Sequence, residues 1–105
     1  IPLPQNTCPL TQANTDAITE QKFTMPLPYK DAITEIKALL QENGYTFNEQ
    51  PETTIRTQKT WSAQVQKENY TQTIYTFIIT NQNPVSFEVT NDTAFLTIQE
   101  HTSGG

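Results

Sequence analysis

Pro28-Tyr29-Lys30-Asp31-Ala32-Ile33-Thr34-Glu35-Ile36-Lys37-Ala38-Leu39-Leu40-Gln41-Glu42-Asn43-Gly44 is the stretch on which the fold turns. Tyr29, Ala32, Ile33, Ile36, Leu39 and Leu40 recur at spacings of three and four. That periodicity stacks them on one stripe of an amphipathic helix. Lys30, Glu35, Lys37, Gln41 and Glu42 fall mainly elsewhere and can stay solvated. Pro28 suits a first helical position, where a missing N–H has no intrahelical partner to lose. At the far end Asn43-Gly44 supplies a residue that accepts positive φ and closes the helix. A helix of about 15 residues is marginal alone in water, so its stripe requires a sheet to lie on.

That sheet is expected downstream, between Thr53 and Glu100. From Ile55 to Val65 the residues alternate, with Ile55, Trp61, Ala63 and Val65 on one parity and Thr60, Ser62 and Gln64 on the other. Period two with one polar face is a strand covered on one side. Gln66-Lys67-Glu68-Asn69 reads as a turn. Tyr70 to Thr80 is apolar on both parities, with Tyr75, Phe77 and Ile79 on one and Ile74 and Ile78 on the other, which suits a central strand. Asn81-Gln82-Asn83-Pro84 is turn chemistry. Val85, Phe87 and Val89 predict a half-buried strand, with Asn91-Asp92 as a tight hairpin. Ala94, Leu96 and Ile98 form a last strand, with Phe95 on its opposite face.

Connections this short leave antiparallel pairing, because a parallel crossover needs a dozen or more residues. Upstream, Lys22 to Leu27 predicts a strand that Pro26 confines to an edge. The expected fold is α+β: a two-layer β-α-β-β-β-β arrangement, one helix packed on a four- to five-stranded antiparallel sheet. The expected organisation is a flexible segment over 1–21, one domain over 22–100 and a flexible tail over 101–105. Ile1-Pro2-Leu3-Pro4 and the Thr/Gln/Asn content through Ala17 offer no periodic apolar face. A chain starting at Ile1 without methionine suggests a trimmed export signal or linker, hence a secreted, periplasmic or cell-envelope location.

Thr, Gln and Asn make up 38 of the 105 residues and charged residues only 16%. Such a surface is solvated by neutral amides and hydroxyls. The net charge of −5, with six basic residues spread from Lys22 to Lys67, argues against nucleic acid, whose phosphates demand a basic patch. No apolar run approaches the ~20 residues of a membrane span.

Chemistry-bearing residues are sparse. Cys8 is the only cysteine, so there is no intrachain disulfide or thiolate cluster, and nothing nearby lowers its pKa. It reads as a bystander, with pairing between chains the alternative. His101 is the only histidine and has no second imidazole or cysteine to share a metal. Glu42, Glu49 and Glu52 cluster after the helix without the dense Asp/Asn pattern and glycine of a calcium loop, so a solvated acidic corner is the better reading. Gly44 is the only glycine outside the terminal pair, which excludes a glycine-rich phosphate loop. Asn69-Tyr70-Thr71 and Asn91-Asp92-Thr93 fit a glycosylation acceptor pattern, but chance places about as many in this composition. Trp61 is most simply a core anchor beneath the helix. Asp16-Ala17-Ile18-Thr19-Glu20-Gln21-Lys22 and Asp31-Ala32-Ile33-Thr34-Glu35-Ile36-Lys37 match at six of seven positions. With no third copy this is coincidence or a tiny duplication, not a solenoid. An enzyme is not expected, and no cofactor or metal is expected.

One helix can cover only one face of the sheet, and the Tyr70–Thr80 strand is apolar on both. Whichever parity meets the helix, the other leaves Tyr75, Phe77 and Ile79, or Tyr70, Ile74 and Ile78, on the far side. The expected partner surface is Tyr75, Phe77, Ile79 and Phe95, since contiguous exposed apolar patches mark contacts. Residues 1 to 21 folding back over it, or a curled sheet, are the bland alternatives.

Lys22-Phe23-Thr24-Met25-Pro26, then a helix ending Leu39-Leu40-Gln41-Glu42-Asn43-Gly44-Tyr45-Thr46, then Thr54-Ile55-Arg56-Thr57, resembles the repeated β-α-β domain of NlpB/BamC-type outer-membrane assembly lipoproteins. The likeness covers about a quarter of the chain, and the lipidated cysteine of that family is missing. It implies an envelope binding or assembly role without catalysis. A cystatin-like inhibitor shares the helix-plus-meander outline, but Gln64-Val65-Gln66-Lys67 lacks the glycine of that family's hairpin. The expected function is a non-catalytic interaction or assembly module acting on another protein or on itself through an apolar sheet face or a sheet edge. A small structural component of a larger assembly (phage, pilus or surface type) is the alternative.

Overall fold

The structure, a computed structural model, describes residues 1–14, 18–67 and 70–102. Helix α1 runs Tyr29–Glu42, and of the predicted stripe it buries Tyr29, Ala32, Ile36 and Leu40, while Ile33 and Leu39 are half-buried. Pro28 stands just outside its first turn. Gly44, at φ 81, supplies the left-handed residue that ends it.

The helix lies on a seven-stranded antiparallel sheet, larger than the four to five strands expected. The strands are β1 (Cys8–Asn14), β2 (Ile18–Met25), β3 (Tyr45–Glu49), β4 (Thr53–Ile55), β5 (Gln58–Lys67), β6 (Tyr70–Thr80) and β7 (Ala94–Thr102). Their order across the sheet is β1-β2-β7-β6-β5-β3, with β4 continuing β3's edge along β5. As expected, β6 is central, flanked by β5 and β7. The core gathers Met25, Trp61, Ala63, Val65, Phe77, Ile79, Ala94, Leu96 and Ile98 beneath the helix stripe. At about 10 Å in diameter, one helix spans two or three strands of a sheet about 24 Å wide. On the same face, Leu3 packs against the core and Pro4 is buried, so the N-terminal arm shields part of what α1 leaves.

Several expectations are corrected. Residues 1–21, expected to be flexible, contain β1 and the start of β2. No apolar period marks β1, because it joins the sheet by backbone pairing with β2 while Cys8, Pro9, Leu10 and Thr11 stay exposed. The strand around Lys22 is not an edge: β2 lies between β1 and β7, and Pro26, which cannot donate to a ladder, falls just after its end. Tyr45–Glu49 is a strand, with Tyr45 and Phe47 half-buried against the core. The Ile55–Val65 strand is broken at Arg56-Thr57, where β4 folds back on β5 with Ile55 opposite Gln58. Gln66 and Lys67 belong to β5, and the rest of that expected turn, Glu68 and Asn69, lies outside the described residues. His101 and Thr102 extend β7 instead of a tail.

The largest correction concerns Val85, Phe87 and Val89, which form no strand. The Asn83 carboxamide oxygen accepts from the Val85 and Ser86 N–H groups, and the Phe87 N–H donates to the Asn83 carbonyl. Those donors are the ones a ladder would have used. Without that strand Asn91-Asp92 makes no hairpin.

Candidate interaction surface

The four residues expected to form a partner surface are divided by the pleat. Phe77 and Ile79 are fully buried beneath the helix, and Tyr75 is half-buried on the same side. Only Phe95 takes the open face, opposite the helix, in register with Thr80 on β6, and there it is 4% exposed. The parity of β6 on that face is Ile74 and Ile78. Phe77 and Ile79 cannot meet a partner from where they sit.

A different surface forms at one end of the open face. Among the described residues, four of the six large apolar side chains left exposed lie there: Ile55, Val85, Phe87 and Val89. Ile55 is the last residue of β4; the other three come from the loop after β6. Asn81, only 7% exposed, ties the two segments together. Its carboxamide oxygen accepts from the Lys59 N–H at 2.9 Å, and its Nδ2 donates to the Thr57 carbonyl at 2.9 Å. Its own carbonyl accepts from the Thr90 N–H at 2.8 Å. One buried amide thus fixes the β4–β5 turn against the 82–90 loop.

Phe87 is 70% exposed and holds φ 63, a left-handed conformation that is an outlier for a bulky residue. The turn at Asn83 and a bond from Gln82 Nε2 to the Phe87 carbonyl at 3.0 Å keep it there. Beneath the loop lies a cleft of about 370 Å³, floored by Ile78 and Phe95 and walled by Pro84 and Phe87. The ionisable groups lining it, Glu20 and Lys22, pair with each other at 3.7 Å. Lys22 Nζ also donates to Thr97 Oγ1, and Gln99 Nε2 donates to Glu20. The cleft is therefore close to neutral.

A second cleft, of about 190 Å³, lies under the N-terminal arm between Leu3, Phe23, Tyr75 and Ile98. Burial, then the Glu100 charge and Tyr45, raise the Tyr75 phenol there. Ile1 and Leu3 of the arm form part of its wall.

The remaining candidates serve the fold. Glu49 accepts from Trp61 Nε1 at 2.8 Å and pairs with Lys37 at 3.1 Å. The Trp61 bond, then Lys37, hold its carboxyl below the usual carboxylate range. Glu52 accepts from the Tyr29 hydroxyl at 2.9 Å. The expected acidic corner is thus a pair of clasps joining the helix to β3 and to the segment before β4. Trp61 sits in the core. Cys8 is exposed on β1, and His101 lies on β7 between Ile18 and Ile74. Among the described residues no cluster of three His, Cys, Asp or Glu could hold a metal, and no helix is long and apolar enough to cross a membrane.

No protein-family model, curated protein or solved structure matches the chain.

Proposed function

We propose that this chain is a non-catalytic protein-interaction module that docks through the Ile55–Phe87 end of its open sheet face. The observation that carries the reading is Phe87: an exposed aromatic ring, held by the surrounding hydrogen bonds of Gln82 and Asn83 in a conformation costing of order 1–3 kcal/mol. Outliers of this kind persist at ligand clamps more often than on bare surface, and an exposed apolar cluster marks a contact.

Face is favoured over edge. Both lateral edges carry features that blunt strand addition. On β1 these are Pro9 and a register shift between Pro9 and Thr11; on the other side Pro51 interrupts the edge between β3 and β4. The resemblance around Lys22–Thr46 supports placing the module in the cell envelope.

The test uses an apolar fluorescent dye on the full chain and on Phe87→Asn, since asparagine tolerates positive φ. We expect the wild type, diluted until monomeric, to enhance dye emission and Phe87→Asn to lose most of that enhancement while folding at least as stably. Absence of wild-type binding, or equal binding by the variant, overturns the proposal.

A further inference from the structure

We infer that this patch, taken as the docking surface proposed above, receives a second copy of the same chain in a two-fold symmetric contact. Register lays the patch out in a line. Ile55 stands directly opposite Gln58. Lys59 and Asn81 are joined by the Asn81 N–H to the Lys59 carbonyl at 3.4 Å, which carries the row from β5 to the residues after β6. There Gln82 bridges Val89. Directly opposed residues point to the same side of a sheet. Ile55, Gln58, Gln82 and Val89 therefore form one row across four neighbouring segments, about 14 Å long at the usual strand spacing.

Exposed residues of opposite charge adjoin the row's two ends in sequence. Arg56 follows Ile55 in the exposed β4–β5 turn. Glu88 precedes Val89, and Asp92 follows in the same loop. Between them the row is neutral amide, Lys59 beside Gln58 falling on the other parity opposite Thr54, and the adjoining cleft adds the mutually paired Glu20 and Lys22. No Lys or Arg occurs after Lys67, so the negative end has no local counter-charge in sequence.

Along its length the strip is positive, apolar, neutral, apolar, negative. A partner of one sign, such as a nucleic acid or a basic peptide, satisfies only half of it. A second copy satisfies all of it. A two-fold axis lying along the strands at the Gln58–Gln82 midpoint lays the Ile55 end of one copy on the Val89 end of the other, opposing Arg56 to Glu88 twice. Self-complementarity of this kind is what an isologous interface requires. The exposed Phe87 ring then meets the apolar strip of the second copy.

The experiment is sedimentation equilibrium of the full chain over a wide concentration range, with charge reversals. The wild type should dimerise. Arg56→Glu and Glu88→Arg should each weaken the dimer at least tenfold, because symmetry makes every reversal count twice. An equimolar mixture of the two variants should recover a dimer, as should the double variant. Phe87→Asn should be monomeric. The inference is overturned by a wild type monomeric throughout, by reversals without effect, or by a mixture that stays dissociated. Should the wild type be monomeric yet still bind dye in a Phe87-dependent way, self-association falls while the docking surface stands. Loss of both removes both.

Discussion

Phe87 and Asn81 are the two residues whose roles the sequence hides. Val85, Phe87 and Val89 alternate as a strand does, and period two is ordinarily the strongest short-range sign of one. Asn83 defeats it, because its side chain captures the next backbone donors before a neighbouring strand can. Pro84 adds a fixed φ at the turn. Replacing Phe87 by Asn should leave stability unchanged or raise it by up to about 1 kcal/mol, because a strained φ is relieved. Denaturant midpoints measure this. Asn81→Ala should do the opposite. It removes the buried amide joining two segments and leaves the Lys59 N–H and Thr57 carbonyl without that partner, costing about 1–3 kcal/mol. Amide hydrogen exchange should then accelerate together in the β4–β5 turn and the 82–90 loop; acceleration in only one of them would refute the coupling.

At the scale of elements, the helix is fully legible in the sequence and the sheet edges are not. Its stripe, proline start and glycine stop act locally, so the sequence shows them. The near-repeat separates local preference from context. Ile33-Thr34-Glu35 lies in α1, whereas Ile18-Thr19-Glu20 lies in β2. The intrinsic preferences are identical, so the difference comes from the residues downstream of each copy. Ala38-Leu39-Leu40 completes an apolar stripe, while Phe23, Met25 and Pro26 make a half-buried strand and end it. β1 is illegible because its described side chains bury little. β3 does carry a sign, Tyr45 and Phe47 alternating directly after Gly44. The clasp between Tyr29 and Glu52 yields a pH prediction. Burial first, then the bond to and charge of Glu52, raise the phenol pKa well above its ordinary value. A raised folded pKa gives stability that is complete below the unfolded value near 10 and lost as pH climbs past it. Tyr29→Phe should cost about 0.5–1.5 kcal/mol at neutral pH. It should also flatten the alkaline decline in unfolding free energy above about pH 10. An unchanged alkaline slope would show that the phenol does not carry it.

For the molecule as a whole, fold class and helix placement emerge from pattern, while the interaction surface does not. The reason is geometric: alternation says that two residues share a face but not which face the helix takes. Phe77 and Ile79 lie under it, so the apolar residues available to a partner come mainly from loops, where periodicity carries no information.

The last of the seven described strands lies beside β6 at the middle of the sheet. β7 pairs with β2 on one side and β6 on the other, so residues 94–102 join an N-terminal hairpin to a downstream meander. Until they arrive, the β1–β2 pair has nothing to lean on and Phe77 and Ile79 lack the cross-strand neighbours Ile98 and Leu96. Assembly is therefore deferred until residues 94–102 are available to pair, and a chain halted at Thr93 should show no cooperative thermal transition by circular dichroism. A sharp melt in that truncated product would mean the two halves stand independently.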